Sequence, residues 1–212
     1  MSEPSWTVVV PVKRLDVAKS RLRGALPGVP HESLALALAL DTVRAVLACD
    51  AVAALLVVTD DPRAATAVRA AGARVLPDAP DGGLNAALRH GAAAVDGPVA
   101  GLTADLPALL PGDLDAALRA TADAPGVRHF VADAPGDGTV LLAAPAGVPL
   151  DPRFGTGSAA AHAASGALPL AGGWPSLRRD VDTPADLAEA ARLGLGPHTA
   201  ALTARRPAVA PG

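Results

Sequence analysis

Four short stretches of this chain carry residue types that can do chemistry. The first runs from Pro11-Val12-Lys13 to Ala18-Lys19-Ser20-Arg21-Leu22, with the cations Lys13, Arg14, Lys19 and Arg21 within nine residues. Cations so close repel one another unless an anion joins them, and a triphosphate is a suitable anion. A solvated basic loop is the plain alternative. The second is Asp180-Val181-Asp182. On an extended segment, residues i and i+2 face one side, so both carboxylates can meet one cation. Asp105, after another apolar run, offers a third carboxylate. Hard Mg2+ takes such oxygens together with phosphates. Turn aspartates before a helix would read the same way. The third is Phe154-Gly155-Thr156-Gly157-Ser158. Its glycines let backbone N–H groups approach an anion, and Ser158 can both cap a helix and bond a phosphate. The fourth, Asp81-Gly82-Gly83-Leu84-Asn85, is a turn before a helix that could set backbone groups and Asn85 against a flat base. A plain turn and N-cap is the commoner use of such a sequence.

The elements that must position these residues follow from the apolar runs and their punctuation. Trp6–Val12 is a short β-branched run that predicts a buried strand, with the basic loop behind it. The Leu/Ala-rich segment 31–48 predicts a helix, because both residue types are strong helix formers and the pattern continues through Val43 and Val46. A second strand is expected at Ala54–Val58, a helix from Pro62 to Gly72, and strands at Arg74–Leu76 and Val99–Leu102. Helices are expected near Leu84–Ala94 and from a cap at Asp113 to Ala122. Arg128–Val131 and Thr139–Ala144 predict two more strands, and a short Ala-rich helix follows Ser158. Leu177–Asp180 is expected as a last short strand. Thr183-Pro184-Ala185-Asp186 combines a cap, a helix-starting proline and a first-turn acid, so a final helix should run to Gly194. The Pro/Ala-rich residues 197–212 are expected to be a disordered tail behind a single domain of residues 1–196. Strands alternating with helices indicate an α/β domain with a mostly parallel sheet, whose ligands sit beyond the carboxyl ends of the strands. Lys13, Asp60, Asp61, Thr103, Asp105, Asp180 and Asp182 are the polar residues expected there.

Composition narrows the function classes. The 212 residues suit one domain, and half are apolar. A formal charge of -3 argues against a general nucleic-acid binder, and four aromatics are too few for a base-stacking platform. The single Cys49 excludes an internal disulfide and a thiolate zinc cluster. The five histidines lack metal-ligand spacing, so neither a histidine metal site nor a histidine-activated nucleophile is expected. No apolar run suits a membrane span and the start carries no signal-peptide pattern, so a cytoplasmic protein is expected.

Taken in order, Val10-Pro11-Val12-Lys13, Ala18-Lys19-Ser20-Arg21-Leu22, Gly83-Leu84-Asn85, Ala104-Asp105-Leu106-Pro107, Phe154-Gly155 to Ser158 and Asp180-Val181-Asp182-Thr183 resemble the phosphoenolpyruvate/2-phospho-L-lactate guanylyltransferases of coenzyme F-420 biosynthesis. The likeness runs from Trp6 to Leu193. It implies a nucleotide-diphospho-sugar transferase-like, Rossmann-like fold. It also implies transfer of GMP from GTP to the phosphate of a three-carbon acid, with release of pyrophosphate. For a bacterial member the expected acceptor is phosphoenolpyruvate and the product enolpyruvoyl-2-diphospho-5'-guanosine; 2-phospho-L-lactate is the other acceptor of the family. By the same resemblance, Thr139, Gly155 and Ser158 would contact the acceptor, and Asp105, Asp180 and Asp182 would hold Mg2+. Lys13, Lys19 and Arg21 would hold the GTP phosphates, and Gly83 and Asn85 would lie near the base. Lys13, Lys19 and Asp105 would be the catalytic set. No nucleic acid or membrane is expected as a partner, and monomer and homodimer are both open. Molybdopterin guanylyltransferases come second, because they carry L-A-G-G where this chain has Val9-Val10-Pro11-Val12. Asp180-Val181-Asp182-Thr183 also resembles the nucleophile motif of haloacid-dehalogenase-type phosphatases, but there the motif ends the first strand. A non-enzymatic α/β binding domain would leave three acids and four bases without a purpose.

Overall fold

The structure, a computed structural model, describes residues 6–79, 82–124 and 126–204. Seven strands form one sheet in the order β3-β2-β1-β4-β6-β5-β7: β1 Trp6–Pro11, β2 Val52–Val58, β3 Arg74–Leu76, β4 Val99–Leu102, β5 His129–Ala132, β6 Thr139–Ala144 and β7 Leu168–Pro169. β1 pairs in parallel with β2 and β4, and β2 with β3. β6 alone runs the other way, antiparallel to both β4 and β5. Eight helices are described: α1 His31–Leu47, α2 Pro62–Ala70, α3 Leu84–Ala93, α4 Pro111–Ala122, α5 Ser158–Ala164, α6 Pro175–Arg178, α7 Pro184–Leu193 and α8 Pro197–Thr203. No described helix is long and apolar enough to cross a membrane.

Helices on both faces explain why β1 is apolar at successive positions. Val8 and Val10 join Val43 and Val46 of α1 and Leu114 and Leu118 of α4 in one buried cluster. Val9 turns to the other face and packs with Leu88 of α3, Leu142 of β6 and Phe154. The second layer is tight at one point. A Cβ at Gly91 of α3 would stand 2.4 Å from Val9 Cγ1, so only glycine lets this helix lie on β1. Winding from β1 to β2 and β3, then back to β4 on the opposite side, puts the switch point between β1 and β4. A crevice opens there at the carboxyl ends of the strands. Because β6 is reversed, its first residue, Thr139, arrives at that same end. The Thr103 N–H, just past β4, donates to Val140 O at 3.0 Å.

Three expectations need correction. Leu177–Asp180 is not a strand: Pro175 opens the four-residue α6. Long-range bonds hold it there. Ser176 donates through Oγ to Asp113 Oδ2 at 2.6 Å, and the Arg178 guanidinium donates to the carbonyls of Ala132, Leu170 and Gly172. Asp113 therefore does not cap α4. Pro111 begins that helix after Leu110, and Asp113 lies in its first turn. The third correction concerns the tail. Pro197–Thr203 forms α8, and its first N–H groups at His198 and Thr199 donate to the buried Asp41 carboxylate of α1 at 3.0 and 2.8 Å. A carboxylate at a helix N-terminus takes up unpaired donors, which supplies what the Pro/Ala-rich sequence lacks. Residues 205–212 lie outside the described residues. Elsewhere the expected strands and helices form within a few residues, including the Thr183/Asp186 capping box that starts α7.

Candidate active site

A cleft of about 530 Å³ opens at the switch point. One wall is the basic loop after β1. Its backbone is pinned where the Leu15 N–H donates to Asp61 Oδ2 at 2.9 Å while Leu15 itself is buried. Asp61 also accepts the N–H groups of Arg63 and Ala64, capping α2. It is thus a structural residue rather than a ligand. The pinned loop turns at Lys19, which has a left-handed φ of 54° and precedes a single 3-10 turn, Ser20–Leu22. The Lys19 ammonium lies between Asp105 and Asp182 and donates to both. Burial alone would push this lysine down, but the two carboxylates hold it above its ordinary value.

The acid cluster comes from two places. Asp105 follows β4. The segment linking α6 to α7 brings Asp180 and Asp182, and it is stitched to the first by Val181 N–H donating to Asp105 O at 3.0 Å. The two aspartates therefore lie between helices, not at a strand end as expected, and buried Val181 separates them. Burial raises the Asp180 carboxyl to about 7, helped by the charges on Asp105 and Asp182 and opposed by Lys19. Asp105 keeps one buried oxygen, Oδ1, without a hydrogen-bond partner. These are hard oxygen donors short of positive charge, and they suit a divalent cation. Among the described residues no three such side chains are already gathered as a coordination shell. Lys19 holds the place between two of them.

The opposite wall is built from β6, the 154–158 loop and α5. Gly155 has φ 130°, and a Cβ there would meet no atom within 4 Å, so it offers bare backbone to open space. Asn85 fixes this loop with both ends of its amide, accepting the Phe154 N–H at 2.7 Å and donating to Phe154 O at 2.9 Å. Ser158 begins α5, and its buried Oγ has no partner. Thr139 Oγ1 lies 2.9 Å from Nδ1 of His162, which is fully buried one turn further along α5.

Lys13, Lys19, Arg21, Asp105, Thr139, Gly155, Ser158, Asp180 and Asp182 all line the one cleft. Asn85 does not. Its amide is engaged at both ends with the Phe154 backbone, which makes it a clamp on the 154–158 loop. Gly83 borders an adjoining pocket of about 240 Å³ together with Lys13 and Asp60. Asp81 lies outside the described residues. Arg14 pairs with exposed Asp16 at 3.3 Å. Sequence reasoning missed His162, whose environment depends on contacts with other parts of the chain.

The family model described as "Guanylyl transferase CofC like" matches residues 6–165. This chain belongs to that family. Among its relatives, a phosphoenolpyruvate guanylyltransferase of Salinispora arenicola is 72% identical over 93% of this chain and 92% of the relative. CofC-family membership agrees with the fold of solved structures. A nucleotidyl transferase from Methanothermobacter has a TM-score of 0.62 at 20% identity, covering 89% of this chain and 97% of that one. Rv0371c of Mycobacterium tuberculosis, in complex with manganese, has a TM-score of 0.50 at 20% identity, covering 88% and 97%. The CofC-family chain is thus a guanylyltransferase on a nucleotidyltransferase fold.

Proposed function

We propose that this CofC-family enzyme acts in the cytoplasm to transfer GMP from GTP to phosphoenolpyruvate, giving enolpyruvoyl-2-diphospho-5'-guanosine for coenzyme F-420 biosynthesis. One observation carries the reading. A single cleft joins a cationic loop and an acid cluster on one wall to a wall of backbone and hydroxyl donors on the other. In this reading the Lys13, Lys19 and Arg21 wall takes the triphosphate. The base extends toward the side pocket at Gly83, where carboxylates suit the donor edge of guanine. Thr139, Gly155 and Ser158 take the phosphate and carboxylate of the acceptor.

An acceptor phosphate oxygen attacks the α-phosphorus of GTP. The bond from that phosphorus to the oxygen of pyrophosphate breaks, and pyrophosphate leaves with the electron pair. The attacking oxygen is already anionic, so no side chain has to remove a proton. Positioning two polyanions and neutralising the leaving group is what remains, and Lys13 and Lys19 are suited to it. Asp105, Asp180 and Asp182 would hold Mg2+, which when bound supplies charge for the phosphates. The unpartnered Asp105 Oδ1 supports that fit.

Incubation with labelled GTP, Mg2+ and, in turn, phosphoenolpyruvate, 2-phospholactate or 3-phosphoglycerate tests the reading. Pyrophosphate release that depends on phosphoenolpyruvate is expected, and excess chelator should abolish it. Release of phosphate without an acceptor, preference for another acid, or full turnover in chelator would overturn the corresponding part.

A further inference from the structure

We infer that His162 is a positioning residue for the acceptor: its imidazole, locked in one tautomer, bars the Thr139 hydroxyl from donating to the ring and so frees that hydrogen for the cleft. The inference rests on the reading that Thr139 contacts the acceptor. It starts from the Arg153 backbone N–H, which donates to His162 Nε2 at 2.9 Å. A backbone N–H can only donate, so Nε2 must be unprotonated. In a neutral imidazole the proton then sits on Nδ1. Nδ1 faces Thr139 Oγ1 at 2.9 Å. A protonated Nδ1 can only donate, so the hydroxyl cannot give its hydrogen to the ring. It accepts from the ring and keeps its own hydrogen for the cleft that Thr139 lines.

The surroundings hold this arrangement. The ring is fully buried and lies against two phenyl rings, Phe130 at 5.9 Å and, edge-on, Phe154 at 5.2 Å between centroids. A second proton on Nε2 would face the Arg153 N–H. Burial, with Arg128 and Arg153 nearby, lowers the imidazole to about 4 against the opposing pull of Asp151 and of the Ser158 backbone. The ring therefore stays neutral at working pH. Ser158 and His162 are four apart on α5, so one helix face carries both the unpartnered serine hydroxyl and the group that orients the threonine. An acceptor anion entering here meets two hydroxyl donors whose hydrogens are not claimed by the protein.

Two measurements test this on the full chain. Nitrogen-detected NMR of the wild-type protein should show the proton of the buried imidazole on Nδ1; a proton on Nε2 would overturn the inference whatever the variants do. Calorimetric binding of phosphoenolpyruvate and of GTP, in variants shown to fold, supplies the second. Thr139→Val should weaken phosphoenolpyruvate roughly 10- to 150-fold, the effect of losing one hydrogen bond to a charged group. His162→Phe should weaken it roughly 3-fold or more, since the hydroxyl hydrogen regains its staggered positions. His162→Asn can present an amide N–H near the position of Nδ1 and should restore affinity. GTP affinity should stay the same throughout. His162→Phe should add nothing in the Thr139→Val background, because the histidine acts through that hydroxyl. Unchanged phosphoenolpyruvate affinity in folded His162→Phe, or additive losses in the double variant, would overturn the positioning role. If Thr139→Val itself leaves phosphoenolpyruvate binding intact, the acceptor reading fails, and that result is distinguishable because it involves no change at His162.

Discussion

Lys19 occupies the position where opposing demands meet. Its ammonium pairs with Asp105 and Asp182, and the triphosphate would compete for it. Lys19→Ala should therefore weaken GTP use roughly 10- to 150-fold in steady-state kinetics, with a much smaller change for phosphoenolpyruvate. An unchanged GTP dependence would return the lysine to a purely structural role. Ser158 makes the opposite trade. Its buried hydroxyl has no partner, so Ser158→Ala should leave the melting temperature unchanged or raise it by about 2–4 °C, while weakening phosphoenolpyruvate binding. A lower melting temperature would mean that the hydroxyl is satisfied in the free enzyme. His162 supplies a pH effect. Its folded value, about 4, lies below the ordinary 6.5, so between these values the unfolded chain binds the extra proton. Stability should therefore fall as pH drops through that window, by on the order of 3 kcal/mol in all, and level off below it. Buried His129, also lowered, adds in the same direction. Denaturant titrations at several pH values should show a shallower slope in His162→Asn than in wild type.

At the scale of elements, α8 is the part whose removal should cost most for its size. Deleting residues 197–212 takes two charge-assisted bonds from Asp41 and uncovers the packing of Leu202 near Leu34 and Leu38. Unfolding free energy should drop by about 3 kcal/mol, and Asp41→Ala should reproduce about half of that. Full stability in the truncated chain would show that α8 is dispensable. The same helix shows where sequence reading stopped. Strands such as β1 and β4 were legible because an apolar run bounded by proline or glycine carries its own signal. The α7 start was legible because cap and partner lie three residues apart. α8 was not, because its cap is a side chain 157 residues away. α6 misled for a related reason: Leu-Arg-Arg-Asp has no period of its own, and Asp113 and Ala132 decide its shape from other elements. In the site, residue types were legible one loop at a time. The pairing of Lys19 with Asp105, 86 residues apart, was not, and neither was the bond from Arg153 that selects the tautomer of His162.

For the whole molecule, three carboxylates turned toward one cleft set up a repulsion that a cation should relieve. Mg2+ or Mn2+ alone should raise the melting temperature, by an amount equivalent to about 2.7 kcal/mol at a concentration one hundred times its dissociation constant. Asp182→Asn should blunt that rise, and chelator should erase it. Equal stabilisation by a monovalent salt at the same ionic strength would count against a specific site. The cleft also owes its shape to the one strand that runs backwards. β1 and β4 deliver their carboxyl ends to it, whereas β6 delivers its first residue, so the two walls are made by opposite ends of differently oriented strands. Loops on the β1–β4 side and loops around β5, β6 and α5 can therefore change composition separately at many positions, with the Asn85–Phe154 clamp a place where the two must change together. On the proposed assignment of nucleotide to one wall and acceptor to the other, inheritance can act on the two walls at different speeds: one would keep its grip on a nucleotide while the other drifts toward a new phosphorylated acid, and a family of this build could diversify its products without relearning its donor.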